Sequence, residues 1–93
     1  MIYTVYVIVA LHSDQFYVGQ THNLLNRYHS HAEGKVQSTK SLRPHVVGHI
    51  EAFETRSQAM TREKQLKTHA GRQWIRTVVI PLVQGWYSSQ QAM

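Results

Sequence analysis

The sequence predicts a single α/β domain of the α+β kind, on three observations. Residues 2–11 are apolar on both alternating faces, the pattern of a central strand covered from both sides. A short polar break leads into a second strand-like segment, which makes the pair an antiparallel hairpin. Helical spacing introduced by capping side chains then appears twice, over residues 23–32 and 56–68. A chain of 93 residues buries only about 60–65% of its unfolded surface, enough for one core. That domain takes in residues 1–87, and residues 88–93 read as a loose tail.

The elements follow in order. His12, Ser13 and Asp14 make the hairpin loop, and residues 15–19 form the second strand, closed by Gly19. Thr21 to Asn23 offer capping oxygens for the first helix, on which Leu24, Leu25, Tyr28 and Ala32 share one stripe. Gly34 is its C-terminal stop. Residues 33–43 make a basic polar loop with Lys35, Lys40 and Arg43 and the hydroxyls of Ser38, Thr39 and Ser41. After Pro44, residues 45–53 alternate as a half-covered third strand. Thr55 and Gln58 are spaced as a capping box that opens the second helix. Gly71 interrupts it, and a shorter helix turns Trp74, Ile75, Val78 and Val79 inward until Pro81 stops it. Residues 82–87 pack back on the domain.

Ten Lys and Arg against five Asp and Glu leave a net charge of +5, which favours a polyanionic partner. The absence of cysteine excludes disulfides, thiolate zinc sites and thiol catalysis, and suits a reducing cytoplasm. The longest apolar run, residues 5–11, is far below the roughly 20 residues of a membrane-spanning helix. It also lacks the basic leader of a signal peptide. The seven His do not suggest a zinc site. His29 and His31 point about 200° apart on a helix, and His45 and His49 stand about 13 Å apart along a strand.

One polar residue sits in an apolar stripe. Counting 100° per residue from Ala59, Leu66 lies at about −20°, Ala70 at about 20° and Glu63 at about 40°. Such a carboxylate needs either a cation inside the fold or a metal in a cleft, or else it pairs with Lys67 one turn on. On the first helix Arg27 and His31 share one flank, a turn apart. Tyr6 and Tyr17 lie on the paired strands, so both phenols reach one sheet surface if the register brings them there.

These positions fall into a known order. Thr4-Val5-Tyr6, then Tyr17-Val18-Gly19, then Arg27, His31 and Glu63 resemble the motifs of the GIY-YIG nuclease superfamily. The likeness is closest to its short single-domain bacterial group. It extends through Tyr17-Val18-Gly19-Gln20-Thr21, Asn26-Arg27, Arg43-Pro44, Glu54-Thr55-Arg56-Ser57 and Arg62-Glu63-Lys64-Gln65-Leu66-Lys67. The resemblance implies a three-stranded antiparallel sheet flanked by helices, with Tyr6, Tyr17, Arg27, His31 and Glu63 as catalytic residues. It further implies DNA cleavage with one divalent ion, magnesium or manganese, anchored by Glu63. Two departures stand out: Thr4 replaces the first motif glycine, and Ala32 stands where an asparagine often follows the histidine.

Phosphodiester cleavage needs an activated water, neutralised phosphate charge and help for the leaving oxygen. Glu63 would hold the ion through oxygen, and Arg27 would present its fork of donors to the phosphate. Tyr17 is one candidate for the base or water-positioning group, with Tyr6 as its hydroxyl neighbour. A free phenol titrates near 10, so His31, with an ordinary value near 6.5, is the rival base. Lys35, Lys40, Arg43, Lys64 and Lys67 are the residues expected to grip DNA, duplex or branched, through its backbone. The alternative is a nucleic-acid-binding module that cuts little alone. It would serve as a subunit of a repair or mobile-element complex, through a protein partner or as a homodimer.

Overall fold

Strand β1 (Tyr3–Ala10) runs between two antiparallel neighbours, β2 (Phe16–Thr21) and β3 (His45–Phe53), in the order β2-β1-β3. The computed structural model that shows this describes residues 1–91. Every residue from Val5 to Ala10 is buried, as the two-sided apolar pattern of the first strand requires. Two strands are shifted from their expected bounds. β2 runs on through Gln20 to Thr21, and the hairpin closes with Ala10 N–H donating to the Gln15 carbonyl at 3.0 Å.

Between β2 and β3 stand α1 (Leu24–Ala32) and a short α2 (Gln37–Lys40), and after β3 come α3 (Arg56–Leu66), α4 (His69–Trp74), a π-helical turn (Ile75–Val79) and α5 (Ile80–Gln91). One face of the sheet presents Val5, Val7, Val9 and Val18 to Ala59, Leu66, Ile75, Val79, Ile80 and Val83, forming the apolar core. Each valine, leucine or isoleucine among them contributes roughly 1.5–3 kcal/mol by leaving water. Tyr6 and Ile8 point to the opposite face, which α1 and α2 cover. No helix among the described residues is long and apolar enough to cross a membrane.

The capping expectations hold atom by atom. Asn23 Oδ1 accepts from Asn26 N–H, and Thr55 and Gln58 form both halves of a capping box. Gly34, at φ +78°, follows the last turn of α1; its N–H donates to His31 O, while Lys35 N–H donates to Ser30 O. On β3, Gly48 lies where the pairing skips from His49 to Val47. A Cβ there would crowd Val9, Val79 and Val83, so the missing side chain lets the C-terminal helices sit close to the sheet.

Four helical expectations are corrected. The loop at residues 33–43 contains α2, closed by Lys40 N–H donating to Val36 O. The second helix ends at Leu66 rather than Thr68, because Thr68 caps α4 by accepting from Gly71 N–H. Gly71 therefore lies inside α4 and interrupts nothing; a Cβ there would land on the Gln65 carbonyl and the Leu66 backbone. Pro81 does not stop the last helix. The π turn widens the backbone just ahead of it, and Ile80 N–H reaches back to Ile75 O, so the proline ring and its missing donor fit the first turn of α5.

That widened turn also rotates Val78 outward to 39% exposure and brings Ile80 inward. The expected stripes are corrected in the same way: Leu25, Ala32 and Ala70 are exposed. Residues 88–91, read as a tail, continue α5, and residues 92–93 lie outside the described residues.

The tight backbone approach at Gly71 makes Gly71→Ala destabilising by about 1–3 kcal/mol, read as a lower urea midpoint at constant m value. Gly85→Ala, in an open stretch of α5, should instead stabilise by about 0.5–1 kcal/mol.

Candidate active site

The β1–β2 register places Tyr6 opposite Gly19 and Ile8 opposite Tyr17, so both tyrosines lie on one face as diagonal neighbours. Their ring centroids are 6.3 Å apart. A Cβ on Gly19 would come within 2.6 Å of the Tyr6 hydroxyl oxygen and 2.9 Å of the Tyr17 ring. The motif glycine is thus a space requirement: β2 carries no side chain where the Tyr6 phenol lies.

Helix α1 delivers His31 onto this pair, fully buried, with ring centroids 5.6 Å from Tyr6 and 5.2 Å from Tyr17. Tyr6 Oη and His31 Nε2 are 2.8 Å apart, and His31 Nδ1 and Thr39 Oγ1 are 2.7 Å apart. Thr39, also fully buried, donates to the Val36 carbonyl at 3.4 Å. A carbonyl only accepts, so the chain has one polarity. Thr39 donates to Val36, His31 Nδ1–H donates to Thr39, and Tyr6 O–H donates to Nε2.

Charge is consistent with that polarity. Burial, with Arg27 and then His45 nearby, pulls the His31 imidazole down to about 4, so it is neutral at physiological pH. Burial pushes the Tyr6 phenol up to about 12, against the opposing pull of Arg27. Arg27 is exposed on α1, and its guanidinium is held protonated by the Tyr6 hydroxyl first and by Tyr17 in addition.

Glu63 approaches from α3 with its side chain 22% exposed, and Lys67 Nζ donates to it at 2.7 Å. Both halves of the sequence argument meet here: the carboxylate is half-buried, and it is paired one turn on. Its charge also reaches Tyr6, adding to the upward push on that phenol. Among the described residues no three of His, Asp and Glu gather around one point. A lone oxygen donor of this kind fits magnesium or manganese, which take most of their ligands from water and substrate, provided Lys67 releases it.

The expected DNA-binding residues are spread around this centre. Lys40 and Lys64 are exposed, and Lys35 is engaged with Glu33 at 3.2 Å. Arg43 lies against Gly34 and donates to the Ala32 carbonyl at 3.4 Å, and Lys67 is bound to Glu63. Sequence reasoning missed Thr39, one hydroxyl among three in a polar loop with no pattern to set it apart. It also placed His31 on the edge of the α1 stripe, because Leu25 and Ala32 had drawn that stripe too far round.

Two predictions follow from the buried chain. The unfolded state binds a proton on His31 below about pH 6.5, whereas the folded state resists it down to about 4. The stability contributed by neutral His31 is therefore complete above pH 6.5 and lost as pH falls toward 4. Urea unfolding at pH 7, 5.5 and 4 should show that decline, with a flatter slope in His31→Asn. Thr39→Ala should cost about 1–3 kcal/mol and let both His31 tautomers appear in imidazole ¹⁵N spectra, while Thr39→Ser keeps the Nδ1–H form.

Residues 2–76 match the family model described as the GIY-YIG catalytic domain. UPF0213 protein SH2523 of Staphylococcus haemolyticus is 35% identical over 72 residues, covering 76% of this chain and 88% of that protein. UPF0213 protein RBAM_000440 of Bacillus velezensis is 34% identical over 63 residues, 67% of this chain and 64% of that one. In fold, the chain is similar to the solution NMR structure of UPF0213 protein BH0048 from Bacillus halodurans, with a TM-score of 0.53 and 24% identity. That match covers 91% of this chain and 94% of the other. Tyrosines on paired strands, a glycine that makes room for one of them and a match over most of the length have one meaning: this chain belongs to the GIY-YIG family, among its small UPF0213 proteins.

Proposed function

We propose that the protein is a divalent-metal-dependent endonuclease that hydrolyses DNA phosphodiester bonds, with weak sequence preference and a preference for structure or context, in the cytoplasm. The observation that carries this reading is the meeting of two phenols, a guanidinium and a half-buried carboxylate around β2, the edge strand of the sheet. A sheet edge admits an extended polymer.

Tyr17 is the base or water-positioning group in this scheme. It is half-buried and reaches the open side of the site, whereas His31 is sealed off with both ring nitrogens in hydrogen bonds. His31 then acts by orienting Tyr6, whose proton points at Nε2 and whose oxygen lone pairs are left for Arg27. Arg27, exposed and held cationic, offers planar donors to the phosphate as negative charge builds. Glu63 would hold magnesium or manganese, which supplies positive charge to the phosphate when bound. Lys35, Lys40, Arg43 and Lys64 steer the DNA through its backbone without reading bases.

The Glu63–Lys67 pair favours one second reading, a binding module whose carboxylate stays engaged by its own lysine. One experiment separates them. Supercoiled plasmid and branched DNA are incubated with the protein in magnesium, manganese or chelator. Metal-dependent nicking that falls at least about a hundredfold in Glu63→Gln, roughly 3 kcal/mol of barrier, supports the nuclease. DNA binding with no cleavage under any metal, and no change in Glu63→Gln, supports the module.

A further inference from the structure

A cleft of about 610 Å³ is lined by Tyr17 with its neighbours Phe16 and Val18 on β2. Arg72, Arg76 and Lys67 line it from the helices that follow β3, and Ser38 and Ser41 line it from α2 and its C-terminal end. Of the five carboxylates in the sequence, Glu33, Glu51 and Glu63 are already engaged with cations. Neither Arg72 nor Arg76 has a carboxylate partner among the described residues, and Asp14 is the one acid that lines the cleft.

Both arginines are held in place without being neutralised. Arg72 Nε donates to the Lys67 carbonyl at 3.0 Å, which leaves its terminal nitrogens free, and Arg76 stacks over the Phe16 ring at 5.4 Å, which leaves its donor edge free. They stand one helical turn apart. Planar cations without a carboxylate partner, in a cleft that Ser38 and Ser41 also line, suit a row of phosphodiesters.

We infer that this cleft is a second anion site, in which Arg72 and Arg76 hold successive phosphodiesters of the nucleic-acid strand that leads away from Tyr17. The inference rests on the nuclease reading above and adds a strand path that sets where the bound polymer exits. Ser38 and Ser41 supply hydroxyl donors to the same backbone from the α2 side.

The test measures binding of fluorescent single-stranded DNA to the full chain by anisotropy, in chelator and across a salt series. Removing two phosphate contacts should reduce the slope of log K against log salt by about 1.4 in Arg72→Gln/Arg76→Gln. Arg72→Lys/Arg76→Lys, which keeps the charge, should retain most of it, and matched thermal unfolding shows that the variants are folded. An unchanged slope in the Gln pair, with wild-type protein still nicking plasmid, overturns the strand path alone. Wild-type protein that neither binds nor nicks overturns the path and the nuclease reading together. Free phosphate or a mononucleotide that perturbs the two arginine side-chain resonances as strongly, phosphate for phosphate, as the oligonucleotide does also overturns it, because the cleft is then a small-anion site.

Discussion

The hydrogen bond from the Tyr6 phenol to His31 is the contact on which the polar half of this molecule depends. It joins the central strand to α1 across a distance of 25 residues in sequence, and both partners are almost wholly out of water. An unpaired group at either end would cost about 1–3 kcal/mol, so strand and helix hold each other in register through chemistry rather than apolar contact. Thr39 extends the restraint to α2, which turns an otherwise polar loop into a short helix with a buried anchor. Gly19 is the complement of this bond. Its missing side chain is the space in which the phenol lies.

The two faces of the sheet divide the work. Valines from β1 and β2 pack against α3, the π turn and α5, and this side supplies the apolar burial that makes so short a chain fold. Glu51 adds an anchor there: burial pushes its carboxyl up, but hydrogen bonds from Arg62 and His49 outweigh this and hold it below its ordinary value. The other face spends its buried volume on Tyr6, His31 and Thr39, which an apolar core would not tolerate unpaired. Residues from both sides meet beside β2, because β2 is the edge strand and among the described residues no further strand pairs with it. Glu63 from one layer and Arg27 from the other both influence the Tyr6 phenol there.

Much of this was legible in residue order. The motif tyrosines, Gly19, the arginine and histidine one turn apart and the displaced carboxylate were readable because they occur together in a fixed order, each being ordinary enough alone. The capping signals at Asn23, Thr55 and Gly34 were equally readable, because a cap needs only residues within a few positions of one another. The burial of His31 was not. Helical periodicity sets directions around an axis, and the sheet above decides which direction is inside.

Local chemistry in the sequence therefore determined the strands, the helix starts and the identities of the polar residues that converge. Tertiary structure alone decided that Pro81 sits within a helix, that Gly71 serves a close crossing rather than a break, and that Thr39 holds the buried His31. It also decided that Arg72 and Arg76 face a cleft. Each of these depends on how one element turns against the next or on a backbone turn wider than the regular repeat. Pattern reading over a short window carries no term for either.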